Sequence, residues 1–87
     1  MRTRSGRPRE GVRLGRSALS LAVQADNVHM QIEICNDLGL ALTASGQPEE
    51  ATEHFRRALK LALESEDSFE LGRARDGLTA LHQALAT

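Results

Sequence analysis

Tryptophan and tyrosine are absent from this 87-residue chain, and phenylalanine occurs only at Phe55 and Phe69. A core must therefore be assembled from Leu, Ala, Ile and Val, and Ala and Leu lead the helix scale. Stacking platforms for single-stranded nucleic acid, which need aromatic rings, are missing as well. The lone cysteine, Cys35, excludes an internal disulfide and any multi-cysteine zinc site. It also suits a reducing compartment. No apolar run approaches the roughly 18 residues that span a bilayer, and no apolar h-region follows the N-terminus. The expected location is the cytoplasm.

Chemical motifs are equally scarce. His29, His54 and His82 are widely separated, with no two of them three or four positions apart, so no helix presents two imidazoles to a metal. No phosphate-cradling Gly-x4-Gly-Lys-Ser/Thr loop occurs, and Gly11-x3-Gly15 has the wrong spacing for a dinucleotide fingerprint. Cys35 and a histidine could in principle form a nucleophile pair, but a free cysteine is usually a small buried hydrophobe. Catalytic, metal and cofactor sites are therefore not expected, and the chain is read as a non-enzyme. Met30 and Phe69 are assigned to the core, and His54 and His82 to helix surfaces.

With 40% hydrophobic and 26% charged residues, the chain is globular rather than disordered. The formal net charge of −1 conceals an imbalance. Arg2, Arg4, Arg7, Arg9, Arg13 and Arg16 face only Glu10 in the stretch from Met1 to Arg16. Such an arm is one way to meet nucleic acid.

A repeat accounts for most of this pattern. Shifted by 40 positions, Ser5-Gly6-Arg7-Pro8-Arg9-Glu10 falls on Ser45-Gly46-Gln47-Pro48-Glu49-Glu50. Likewise Arg16-Ser17-Ala18-Leu19-Ser20-Leu21-Ala22 falls on Arg56-Arg57-Ala58-Leu59-Lys60-Leu61-Ala62. Twelve of the 47 overlapping positions are identical, ten of them between residues 3 and 22. The arginines are thus one copy of a repeated loop and helix, not an appended tag.

Gly46 can close one helix with a positive φ, and Pro48 opens the next. Ala51, Phe55, Ala58, Leu59, Ala62 and Leu63 then recur at helical spacing. This predicts a helix over about 48–65 and its counterpart over about 8–25, with Gly6 and Pro8 in the same roles. Gly11 and Gly15 make that first helix the weakest. Val28, Ile32, Cys35, Leu38, Gly39 and Leu42 mark a helix over about 27–45. Met30, Ile34 and Ala41 widen its stripe, as an interior helix requires. Leu71, Ala74, Leu78, Leu81 and Leu85 mark a fourth over about 68–86. No segment alternates as a strand does. Four helices joined by short links make antiparallel hairpins, and pairs recurring at this constant interval describe an all-α solenoid.

The spacing Cys35-x-x-Leu38-Gly39-x-x-Leu42, followed by Ala51-x-x-x-Phe55 and Ala58, resembles the tetratricopeptide signature. Cys35 replaces the usual Trp, Leu42 the usual Tyr, and Leu63 the proline that ends the second helix. The resemblance divides the chain into a half unit at 1–26, a complete unit at 27–66 and a half unit at 67–87. Two half units suggest a piece of a longer array, or a chain that completes itself as a homodimer. The long period, and the stretch Glu70-Leu71-Gly72-Arg73-Ala74-Arg75-Asp76-Gly77-Leu78, are similar to repeats of bacterial multidomain regulators.

The resemblance implies a protein-interaction module whose first helices line a groove. By position, its residues are Glu33, Asn36, Asp37, Leu40, Thr43, Arg73, Asp76 and Gln83. Only Asn36 and Arg73 resemble the family's basic clamp for C-terminal carboxylates, while Glu33, Asp37 and Asp76 repel one. The expected partner is a protein or peptide segment that is basic or apolar, or another helix of a parent protein. Nucleic-acid binding through the Arg-rich first helix is the alternative, and a small-ligand pocket between helices ranks last.

Overall fold

The computed structural model describes residues 7–86, which form four α-helices: α1 Pro8–Gln24, α2 Val28–Ala44, α3 Pro48–Ser65 and α4 Ser68–Ala86. Each predicted helix is present within a residue of its expected ends. The Gly6 turn, Arg2 and Arg4 lie outside the described residues. Among the described residues there is no strand, and no helix is long and apolar enough to cross a membrane.

The step between helices is built the same way three times. Asn27 N–H donates to Ala22 O, Gln47 N–H to Leu42 O and Asp67 N–H to Ala62 O, each at 2.9 Å. These turns recur at equal intervals, from Asn27 to Gln47 to Asp67, so one repeat period is two equal strokes of helix and turn. In each, one residue takes a positive φ: Asp26 (54°), Gly46 (80°) and Glu66 (57°). Only Gly46 adopts it freely, because a Cβ in the left-handed region crowds the following carbonyl. Glu66→Gly is expected to raise stability by about 0.5–1 kcal/mol, read as a higher urea midpoint with an unchanged m-value. Asn27 and Asp67, one period apart, cap α2 and α4 by accepting from Met30 N–H (3.0 Å) and Glu70 N–H (3.1 Å).

Helix α2 is central, packing on α1, α3 and α4, while α3 also packs on α4. Among the described residues no comparable packing joins α1 to α4, as it would in a closed bundle, so the helices form an open stack of hairpins. The core runs through Ile32, Cys35, Leu38 and Leu42 of α2 and Ala51, Phe55, Ala58 and Ala62 of α3. Its closest approach centres on Phe55. A methyl on Gly39 would stand 2.6 Å from that ring, and one on Gly77 would overlap it too. The ring is therefore gripped between bare backbone of α2 and of α4.

Cys35 is fully buried. Burial raises its thiol pKa, and the nearby positive charge of Arg57 opposes this only in part. Native protein is expected to resist a disulfide reagent such as DTNB at pH 8, reacting fully once unfolded in guanidinium. Fast native labelling would contradict the packing.

Four apolar assignments change. Met30 and Phe69, expected in the core, are 46% and 73% exposed. Both stand in the first turn of a helix, off the buried stripes Ile32–Cys35–Leu38–Leu42 and Glu70–Ala74–Leu81. Leu63 and Leu85 are exposed as well. His82 is exposed, whereas His54 is half-buried beside Glu50.

Candidate interaction face

Two helical stripes face the same side. A helix returns to one face at steps of three and four residues, which aligns His29, Glu33, Asn36, Leu40 and Thr43 along α2. The equivalent positions one repeat further on align Phe69, Arg73, Asp76, Ala80 and Gln83 along α4. Between them lies a pocket of about 270 Å³ lined by Asn36, Leu40, Phe55, Arg73, Asp76, Gly77 and Ala80. The pocket brings together Asn36, Leu40, Arg73 and Asp76 from the eight groove positions. Asp37 joins through Arg73, whereas Glu33, Thr43 and Gln83 lie outside the lining. Phe55, Gly77 and Ala80 were missed as site residues because their spacing marks helix packing first.

The polar groups of this face are largely committed to one another. Asn36 is fully buried. Its Nδ2 donates to Glu70 O at 3.1 Å and to Glu70 Oε1 at 2.9 Å, tying α4 to α2. Arg73 Nη1 donates to the same Glu70 oxygen at 3.0 Å, and its Nη2 to Asp37 Oδ1 at 2.8 Å. The Asp37 hydrogen bond, with both carboxylates nearby, holds the Arg73 pKa above its usual value despite partial burial. Glu33 makes an exposed contact with His29, at 3.3 Å. Asp76 makes no ion pair among the described residues. Thr43 donates its hydroxyl to Gly39 O at 2.7 Å, within its own helix. Among the described residues one buried acceptor is left over, because Asn36 Oδ1 has no partner there.

This combination of a central helix hairpin, small residues at the crossing and a face on the first helices has a counterpart among known proteins. Residues 32–65 match the tetratricopeptide repeat. The match spans α2 from Ile32 and α3 to its end, and the helices on either side pack against this pair as antiparallel neighbours. Tetratricopeptide repeats in general mediate contacts between proteins. No curated protein and no solved structure matches the chain.

The basic first helix presents a different surface. A pocket of about 480 Å³ is lined by Arg9, Val12, Arg13, Arg16, Ser17 and Gln47. Yet Arg16 Nη2 lies 2.8 and 2.7 Å from the two carboxylate oxygens of Glu50. Glu10 sits 3.2 Å from Arg7 and 3.8 Å from Arg13. Much of the positive charge is thus matched within the fold, which does not favour a phosphate-tracking role. Among the described residues no group of three His, Cys, Asp or Glu is placed to hold a metal ion.

Proposed function

We propose that this chain is a protein-interaction module that receives an extended segment rich in basic and apolar residues along α2 and α4. The observation that carries this reading is the pairing of Arg73. Its guanidinium is already shared between Asp37 and Glu70, so among the described residues this face offers a C-terminal carboxylate no unpaired guanidinium. Four carboxylates, Glu33, Asp37, Glu70 and Asp76, stand against that single guanidinium. An acidic rim attracts cationic side chains and discriminates against anionic ones.

The apolar part of the specificity comes from the pocket. Leu40 and Phe55 offer it an aliphatic and an aromatic wall, sized for one side chain. Phe69 exposes its ring in line with Arg73 and Asp76, where it can take a lysine or arginine on its π face. A guest amide N–H reaching the inner end of the pocket would supply the donor that Asn36 Oδ1 lacks. The further placing of the module in a bacterial multidomain regulator is supported by the long repeat period and the Glu70–Leu78 stretch.

Fluorescence anisotropy with two labelled synthetic peptides tests the proposal. One is Lys-Leu-Arg-Leu-Lys, capped at both ends, and the other has Glu in place of each base. The basic peptide is expected to bind at least about tenfold more tightly, with affinity falling as salt rises. Asp76→Lys should remove most of that preference while leaving the helical signal intact. Equal binding of both peptides, or preference for the acidic one, would refute the reading.

A further inference from the structure

The most deeply buried polar residue of the pocket between α2 and α4 carries an atom that the fold does not use. Asn36 Nδ2 donates to two atoms of Glu70, the backbone O and Oε1. Both are acceptors, so the amide cannot be turned over without setting oxygen against oxygen. Oδ1 is therefore fixed away from Glu70, and among the described residues it has no partner. Asn36 is 0% exposed and lines the pocket. A buried acceptor left unpaired carries a desolvation penalty that an arriving donor removes.

Burial along the pocket wall sets how that donor can arrive. Asn36 and Phe55 are buried at its inner end, whereas Leu40 and Ala80 are exposed at its mouth. Gly77 adds only backbone to the wall. A donor on a short side chain, such as serine or asparagine, would have to bring its own backbone into a space of about 270 Å³. A long unbranched stem need not. Its methylenes lie along Leu40, Phe55 and Ala80 while its tip reaches Asn36.

Electrostatics select a cation for the tip. Asp76 lines the same pocket and makes no ion pair among the described residues. Arg73, the base in the lining, is held by Asp37 and Glu70. An incoming positive charge thus meets an uncommitted carboxylate and a base whose charge is already offset. Lysine and arginine are not equivalent there. A guanidinium is a wide planar fork of donors that suits paired oxygens, and the inner end offers the single amide oxygen of Asn36. An ammonium is compact, and can give one proton to Asn36 Oδ1 while turning the others toward Asp76 and solvent.

We infer that this pocket is a lysine site, in which one lysine of the guest segment donates from its ammonium to Asn36 Oδ1 and has its charge balanced by Asp76. The inference rests on the groove reading above and sharpens it, because an acidic rim alone treats lysine and arginine alike. The donor to Asn36 is then the ammonium and not a backbone amide of the guest.

Fluorescence anisotropy on the full chain tests this with capped peptides of equal length: Lys-Leu-Arg-Leu-Lys, Arg-Leu-Arg-Leu-Arg, and the first with norleucine for both lysines. The arginine peptide carries the same charge, yet should bind about tenfold more weakly. The norleucine peptide, which keeps the stem and loses the ammonium, should bind at least as weakly as that. Ala80→Leu crowds the mouth and should erase the difference between the lysine and arginine peptides, with the circular dichroism signal unchanged. In the lysine complex, NOEs should run from the ε-methylene to the Phe55 ring, and the side-chain amide resonances of Asn36 should shift. Equal affinity of the lysine and arginine peptides, both above the acidic one, would leave the groove reading standing and overturn the lysine site, giving Asn36 Oδ1 to a backbone amide or a water. No binding by any of these peptides would overturn both.

Discussion

Phe55→Ala is expected to remove about 3–5 kcal/mol of stability, the range for truncating a fully buried aromatic. A chain of this size has only about 4–13 kcal/mol to lose, so much of the variant should be unfolded in mild urea. The reason is positional. Phe55 is the only buried aromatic side chain, and its ring fills the space between Gly39 of α2 and Gly77 of α4. With neither glycine carrying a side chain, no neighbour can swing in to refill the void. Equilibrium unfolding followed by circular dichroism checks this, and a loss below about 1.5 kcal/mol, the scale of a mild core swap, would mean that the ring is not the keystone of the stack.

Gly39→Ala approaches the same point from the other side. On an isolated helix this change stabilises by about 1 kcal/mol. Here the added methyl would stand 2.6 Å from the Phe55 ring. Retreat from Gly39 drives the ring toward Gly77, where it is equally close, so the ring cannot yield cheaply. The expected net effect is a loss of about 1–3 kcal/mol, the scale of overpacking, with the sign opposite to the helix scale. Gly77→Ala should behave alike. Adding Phe55→Leu to Gly39→Ala should cost less than the two changes summed, because the smaller side chain makes room for the methyl. Double-mutant cycles read that coupling directly. Additive losses would place the two residues out of contact.

The helices were legible because their signals are local and repeated. Pro8 and Pro48 open helices, Gly46 closes one, and apolar residues recur at helical spacing on every element. The left-handed residues Asp26 and Glu66 were not legible, since the turn imposes that conformation on residues that do not prefer it. Phe69 was misassigned for a related reason. An aromatic suggests burial by composition, but its place in the first turn of α4 sets it on the outward stripe with Arg73 and Asp76.

On the candidate face, position alone marked which side chains share a helical stripe, but not which of them are spent on one another. Asn36 and Arg73 look like free anion ligands in the sequence. The fold gives both to Glu70, a carboxylate far along the chain from Asn36 that the sequence pattern does not single out. Burial of Glu70 depends on α4 lying against α2, a tertiary fact that no local spacing contains. The same holds for Arg16 and Glu50, which turn part of an apparent basic arm into a link between α1 and α3.

The geometry of the open stack is tested most directly by proton NMR of the Phe55 ring. The account predicts NOEs from that ring to the α-protons of both Gly39 and Gly77, with those protons displaced by the ring current, and no NOEs between α1 and α4. Contacts from the ring to only one glycine, or a network of NOEs joining α1 to α4, would contradict it.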